Sequence, residues 1–217
     1  MNRPSPRLRR RAWLPAGLIL LAAALPALPV RAQERVGTLE MLRGEASIVR
    51  RGVELRVRQR YPVRDGDRIV TGADAKALLV LQGPPAARAV LTRATTLQVH
   101  AWRAQRRSPL QLLFGAVRTR LRRWLAADLP FVVTPTATIG IKGTDFITYV
   151  KRPRASEFIG VEGLIRAASR SRPADAIEIG RRQWGEIVEG ETPKPPIRVP
   201  DDLWEAALAE FSFPAVP

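Results

Sequence analysis

The sequence predicts an all-β fold: a compact stack of short strands, as a sandwich or a short solenoid-like coil, with one short C-terminal helix. Three observations carry this expectation. Apolar residues recur with period two in short runs, the pattern of half-buried strands. Glycine-containing turns separate the runs. Four prolines between residues 191 and 200 then precede a segment in which apolar residues return with helical spacing.

Residues 1–32 read as a secretory signal. Arg7, Arg9, Arg10 and Arg11 form a positive start, residues 14–25 are apolar, and Val30-Arg31-Ala32 is a small-residue cleavage site before Gln33. The other reading is an uncleaved anchor, because residues 12–30 carry no charge and could just span a thin bilayer. Pro15, Pro26 and Pro29 oppose a regular helix of that length. Cleavage before Gln33 and a periplasmic protein are therefore expected. The Arg10-Arg11 pair also fits a twin-arginine export signal, so the export route stays open.

From residue 33 to 190 the chain reads as one β domain. Residues 36–57 hold short runs separated by Arg43-Gly44-Glu45 and Arg51-Gly52, which read as hairpin turns, with Met41, Ile48, Val53, Leu55 and Val57 as core candidates. Asp65-Gly66-Asp67 could begin a calcium loop, but no further acidic ligands follow at the required spacing, so a tight turn is expected. Residues 68–71, 77–81, 89–91 and 96–99 continue the strands. His100 is the single histidine; with no cysteine and no second imidazole it reads as a surface or end-of-strand residue rather than a metal ligand.

Residues 103–123 are the most basic stretch and admit two readings. As a helix, Val117, Leu121, Trp124 and Leu125 share a face. As a strand after a turn at Gly115, Val117, Thr119 and Leu121 point inward and Arg118, Arg120 and Arg122 stand on the opposite face. That arginine row is either a docking face for an acidic partner or a solvated face that discourages edge pairing.

Residues 131–150 read as two extended runs around a bend at Gly140 and Gly143, with Pro135 at an edge, a bulge or a strand start. Residues 157–161 and 164–168 read as a hairpin around Glu162-Gly163, and residues 176–179 and 186–188 as the last strands, with Trp184 at a core rim. Residues 191–200 form an extended linker. Residues 201–217 form a helix and tail, in which Asp202 and Glu205 resemble a capping box and Leu203, Trp204, Ala207, Leu208 and Phe211 make one apolar face.

Several blocks resemble one known family. Thr134-Pro-Thr-Ala-Thr-Ile-Gly-Ile-Lys-Gly-Thr-Asp-Phe146 is similar to the signature of FecR-type domains, the periplasmic family named after the ferric-citrate sensor regulator. Residues 63–77, 112–117, 161–165 and 178–180 resemble further family blocks in the family's order, over residues 37–189. The signature residues are Thr134, Pro135, Thr136, Gly140, Gly143, Thr144, Asp145 and Phe146. The resemblance implies an all-β domain, a strand over the arginine row to Leu121, and a role in envelope sensing or interaction. It implies no catalytic residues. Gly83-Pro84-Pro85 departs from the family's usual Asp-Gly-Ser hairpin. The family's sensor regulators also carry a cytoplasmic segment, a membrane helix and a receptor-contacting domain, so control of a sigma factor is not carried over.

Composition narrows the function classes. The 217-residue chain is 46% hydrophobic, carries +16 and has no cysteine, which removes disulfides and thiolate chemistry. Six of the 36 basic residues precede residue 33, leaving 30 against 20 acidic ones, about +10 beyond that point. Without aromatic stacking platforms between the charges, nucleic acid is not an expected partner. There is no G-x-S-x-G, H-E-x-x-H, Walker loop or G-x-G-x-x-G, so no enzyme, cofactor or metal site is expected. The expectation is a non-catalytic periplasmic binding or signalling module whose partner is an envelope protein or an acidic envelope polymer. The alternatives are an envelope scaffold touching cell wall, lipid surface or a secretion assembly, and a membrane-anchored sensor regulator if residues 1–32 are retained.

Overall fold

In the computed structural model, residues 33–83, 86–102, 108–121, 130–141 and 145–214 are described. The signal-like segment lies outside these residues. The chain forms β1 (Arg35–Arg43), β2 (Ala46–Arg50), β3 (Val53–Val57), β4 (Arg60–Arg64), β5 (Arg68–Thr71), β6 (Lys76–Leu81), β7 (Ala87–Leu91), β8 (Thr96–Val99), β9 (Leu110–Leu121), β10 (Pro130–Val133), β11 (Ala137–Ile141), β12 (Asp145–Arg152), β13 (Ala155–Glu162), β14 (Ile165–Ser169), β15 (Ala176–Ile179), β16 (Gln183–Val188), β17 (Ile197–Arg198) and α1 (Asp201–Glu210). The expected all-β class with one C-terminal helix is the observed one.

The strands form a two-layer sandwich. The front sheet runs β4-β1-β6-β7-β9-β12-β13-β16-β17, antiparallel throughout. The back sheet runs β3-β2-β5-β8-β9-β10-β11-β14-β15, with β9 and β10 its parallel pair. One strand, β9, belongs to both. Leu110 and Leu112 pair with β8 in the back sheet, and Val117 to Leu121 pair with β7 in the front. The change of sheet occurs at Gly115, whose φ is +90° and where an added Cβ would lie 2.5 Å from Thr95 Cα. Only glycine meets both conditions without strain.

Between the layers lies the main core, which includes Leu39, Leu79, Val117, Phe146 and Phe158 from the front sheet and Ile48, Ile69, Leu97, Ile139 and Ile179 from the back. Each fully buried side chain of this size contributes about 1.5–3 kcal/mol from desolvation. A second cluster lies on the outer face of the front sheet, where Trp204, Ala207 and Phe211 of α1 and its end cover Leu78, Val90, Ile147 and Ile159.

Several local expectations change. The turns at Gly44 and Gly163 are not hairpins. β1 and β13 lie in the front sheet, β2 and β14 in the back, so each turn carries the chain from one layer to the other. The turn at Arg51-Gly52 is a hairpin, since β2 pairs β3. Gly44 and Gly52 both take positive φ, +67° and +82°, so the local signal is the same for a hairpin and a corner. β4 was not anticipated; it is an edge strand, which accommodates Pro62. Residues 131–141 hold two strands rather than one. The turn at Pro135 separates them, and Gly140 lies inside β11 rather than in a bend. Val53 is exposed on edge strand β3 rather than buried. Residues 110–121 are strand, not helix. The capping box is absent. Pro200 is the N-cap, α1 begins at Asp201, and no side chain caps it.

Candidate functional site

The signature residues come first, because the strands hold them in defined partnerships. Thr134 donates its hydroxyl to the Ala137 carbonyl at 3.2 Å and accepts from the Ala137 amide at 2.9 Å, closing the β10–β11 turn. Ser156 of β13 donates to Thr134 Oγ1 at 2.8 Å and lies 2.7 Å from the Thr136 hydroxyl. Thr136 also reaches the Ile187 carbonyl of β16 at 3.1 Å. All three side chains are buried, so this network ties a back-sheet turn to two front-sheet strands. The Pro135 carbonyl accepts from Arg170 at 3.3 Å. Phe146 is fully buried in the core. Gly143 and Thr144 lie outside the described residues.

Asp145 organises the arginine row. Antiparallel register places Arg120 opposite Asp145, and Arg118 opposite Ile147, on the outer face of the front sheet. Arg118 donates through Nε to Asp145 Oδ1 at 2.8 Å and through Nη2 to Oδ2 at 2.9 Å, a bidentate pair. Arg120 Nε adds a third bond to Oδ2 at 2.7 Å. Arg118 is 6% exposed and Asp145 1%, so this pair is buried, while the Arg120 side chain is 45% exposed. The alternation of Val117, Thr119 and Leu121 inward with Arg118 and Arg120 outward is as expected for a strand. The outward face, however, is covered by the C-terminal tail. Arg118 Nη1 donates to the Phe211 carbonyl at 3.4 Å, and the Phe213 ring lies 5.3, 5.2 and 4.5 Å from the guanidinium carbons of Arg88, Arg118 and Arg120. Arg122 lies outside the described residues.

A similar pair holds the Asp65-Gly66-Asp67 turn. Arg50 donates to Asp67 Oδ1 at 2.8 Å and Oδ2 at 2.7 Å, and the Arg64 amide donates to Oδ2 at 2.7 Å. The bond to Asp67 raises the Arg50 guanidinium above its ordinary value. Asp67 is therefore spent inside the fold. Asp65 accepts from the Ala101 amide, and His100, at the end of β8, is buried with Nδ1 3.6 Å from Asp65 Oδ1. Among the described residues, no group of three or more His, Cys, Asp or Glu is placed to hold a metal ion.

A groove of about 780 Å³ lies beside α1. Its floor is the outer face of the front sheet, with Ala116, Tyr149, Glu157 and Ile159, and Trp184 at one side. One wall is the side of α1 that bears Leu203, Ala206 and Glu210, next to the buried stripe of Trp204 and Ala207. Phe114 stands at the β9 bend and Ile197 on β17. Phe114, Ile197 and Leu203 are 47%, 59% and 58% exposed, and they are three of the five large apolar residues exposed among the described residues. Lys151 Nζ donates to Glu157 Oε2 at 3.1 Å and lies 4.8 Å from the Tyr149 ring centre; Trp184 Nε1 also points to Glu157 Oε2, at 3.4 Å. Burial, with Glu210 and Glu157 beside it, pushes the Tyr149 phenol above its ordinary value.

The family model described as FecR protein matches residues 67–166. These residues form a FecR-type domain. The match spans the structure from Asp67 through β9 and the Thr134 turn to β14, and so contains the Asp145 and Thr134–Thr136 networks. It is narrower than the resemblance over residues 37–189, and the block at residues 178–180 lies beyond it. No curated protein matches the chain. In this FecR-type domain, the side chains of Thr134, Thr136 and Asp145 are buried and bonded within the fold. The groove residues Phe114, Lys151, Ile197 and Leu203 escaped sequence reasoning. Each looks like an ordinary strand or helix residue, and only the docking angle of α1 brings them together.

Proposed function

We propose that the protein is an exported, non-catalytic binding and signalling module of the bacterial periplasm. The FecR-type domain over residues 67–166 is the observation that carries this reading, since the family places such domains in envelope sensing. The reading is supported by where the polar signature residues sit: they brace the sandwich, and the surface is left for partners. Among the described residues, no helix is long and apolar enough to cross a membrane.

The partner proposed is an envelope protein or acidic envelope polymer, in keeping with the basic balance beyond residue 32. Arg120 and Arg122 carry any basic docking contribution, because Arg118 is already committed to Asp145. Chemical crosslinking in intact cells, followed by identification of the adducts, tests the reading. A specific envelope adduct, weakened by the paired change Arg120→Gln and Arg122→Gln and by raised salt, is the expected result. Recovery of the protein in the cytoplasm, or the absence of any specific adduct, argues against it.

A further inference from the structure

We propose that the groove beside α1 binds a single-chain amphiphile with an anionic carboxylate head. This rests on reading the domain as a binding module and names what one of its sites takes. The volume of about 780 Å³ lies within the range of small-molecule sites, which are concave, largely apolar and furnished with a few polar groups. Tyr149, Ile159 and Trp184 line the floor and side, and Phe114, Ile197 and Leu203 leave large apolar surface exposed around them. Such clustered exposure marks a surface that meets an apolar partner.

Charge complementarity sets the head group. Glu157, on the floor, already accepts from Lys151 and Trp184. Arg198, on the β17 side, lies 3.6 Å from Asp201. Arg93 is exposed and has no carboxylate partner among the described residues. The Val150–Gly115 register and the bond from the Thr92 amide to the Ala116 carbonyl at 3.4 Å put Arg93 and Lys151 at the same end, beside Phe114. A carboxylate at that end meets Arg93, with the Lys151–Glu157 pair beside it and Glu210 on the α1 wall as the other acid of the lining, while the acyl chain lies along α1 over Tyr149 and Trp184.

The test uses the purified protein labelled with 5-fluorotryptophan and dodecanoate below its micellar concentration. The Trp184 resonance, assigned with Trp184→Phe, is expected to shift saturably at one equivalent. Decanoate should bind about fifteenfold more weakly, since each of the two methylenes it lacks contributes about fourfold when buried. Dodecylamine should bind at least about tenfold more weakly, because its head carries the wrong sign. Ala206→Trp, an exposed change that fills the groove, should abolish the shift, and Arg93→Glu should weaken binding about fivefold or more. The proposal is overturned by an unmoved Trp184 signal, by equal binding of dodecylamine, or by full binding in Ala206→Trp. Binding to anionic vesicles without binding to monomeric dodecanoate also overturns it, and assigns the groove to a membrane surface instead. Any of these negatives, alongside a retained envelope adduct, leaves the binding-module reading standing.

Discussion

Arg118 and Asp145, 27 residues apart in sequence, form a bidentate ion pair beneath the C-terminal tail, with both side chains buried. A buried charge that loses its partner is costly. Asp145→Ala should destabilise the protein by about 3–5 kcal/mol, and Arg118→Ala by a comparable amount. The double change Arg118→Met with Asp145→Leu should recover much of that loss, because Arg120 can turn to solvent. Urea unfolding of the four proteins checks this; a double variant as unstable as Asp145→Ala alone contradicts it.

The tail itself should matter for stability. Phe211 is fully buried and meets the Tyr149 ring edge-on at 5.7 Å. Phe211→Ala should cost about 3–5 kcal/mol. Phe213 is half-buried and contributes mainly through its three guanidinium neighbours, so Phe213→Ala should cost about 1 kcal/mol. Equal losses for the two variants would mean that the tail does not lie as described.

Gly115 and Gly52 give a matched contrast. Both have positive φ, but an added Cβ meets Thr95 backbone at Gly115 and nothing within 4 Å at Gly52. Gly52→Ala should cost about 1 kcal/mol from backbone strain alone. Gly115→Ala adds overpacking at the one strand shared by both sheets and should cost about 3 kcal/mol or more. Thermal melting of the pair settles the order.

The Tyr149 phenol gives an alkaline signature. Its pKa is raised in the folded state, by burial first and then by Glu210 and Glu157. Below about pH 10 both folded and unfolded chains keep the proton, and the folded state loses nothing. Above that the unfolded chain ionises while the folded chain does not, so stability falls as pH rises. Tyr149→Phe should flatten the decline between about pH 10 and 11, by up to about 1.4 kcal/mol per pH unit. An unchanged slope would place the loss elsewhere.

The period-two runs, the glycine turns and the proline-bounded helix were legible because they are local: alternation and backbone conformation are written residue by residue. The sheet to which each strand belongs was not legible. Gly44 and Gly52 carry the same backbone signal, yet one turns a corner and the other makes a hairpin, because pairing depends on which distant strand is available. The arginine row shows the same limit. Alternation put Arg118 and Arg120 on one face of β9. Only tertiary packing brought Asp145 and Phe213 onto that face, burying Arg118 and leaving Arg120 partly free. The groove depends entirely on how α1 lies across the front sheet, a matter of side-chain fit between segments far apart in the chain, for which the sequence of either segment carries no local mark.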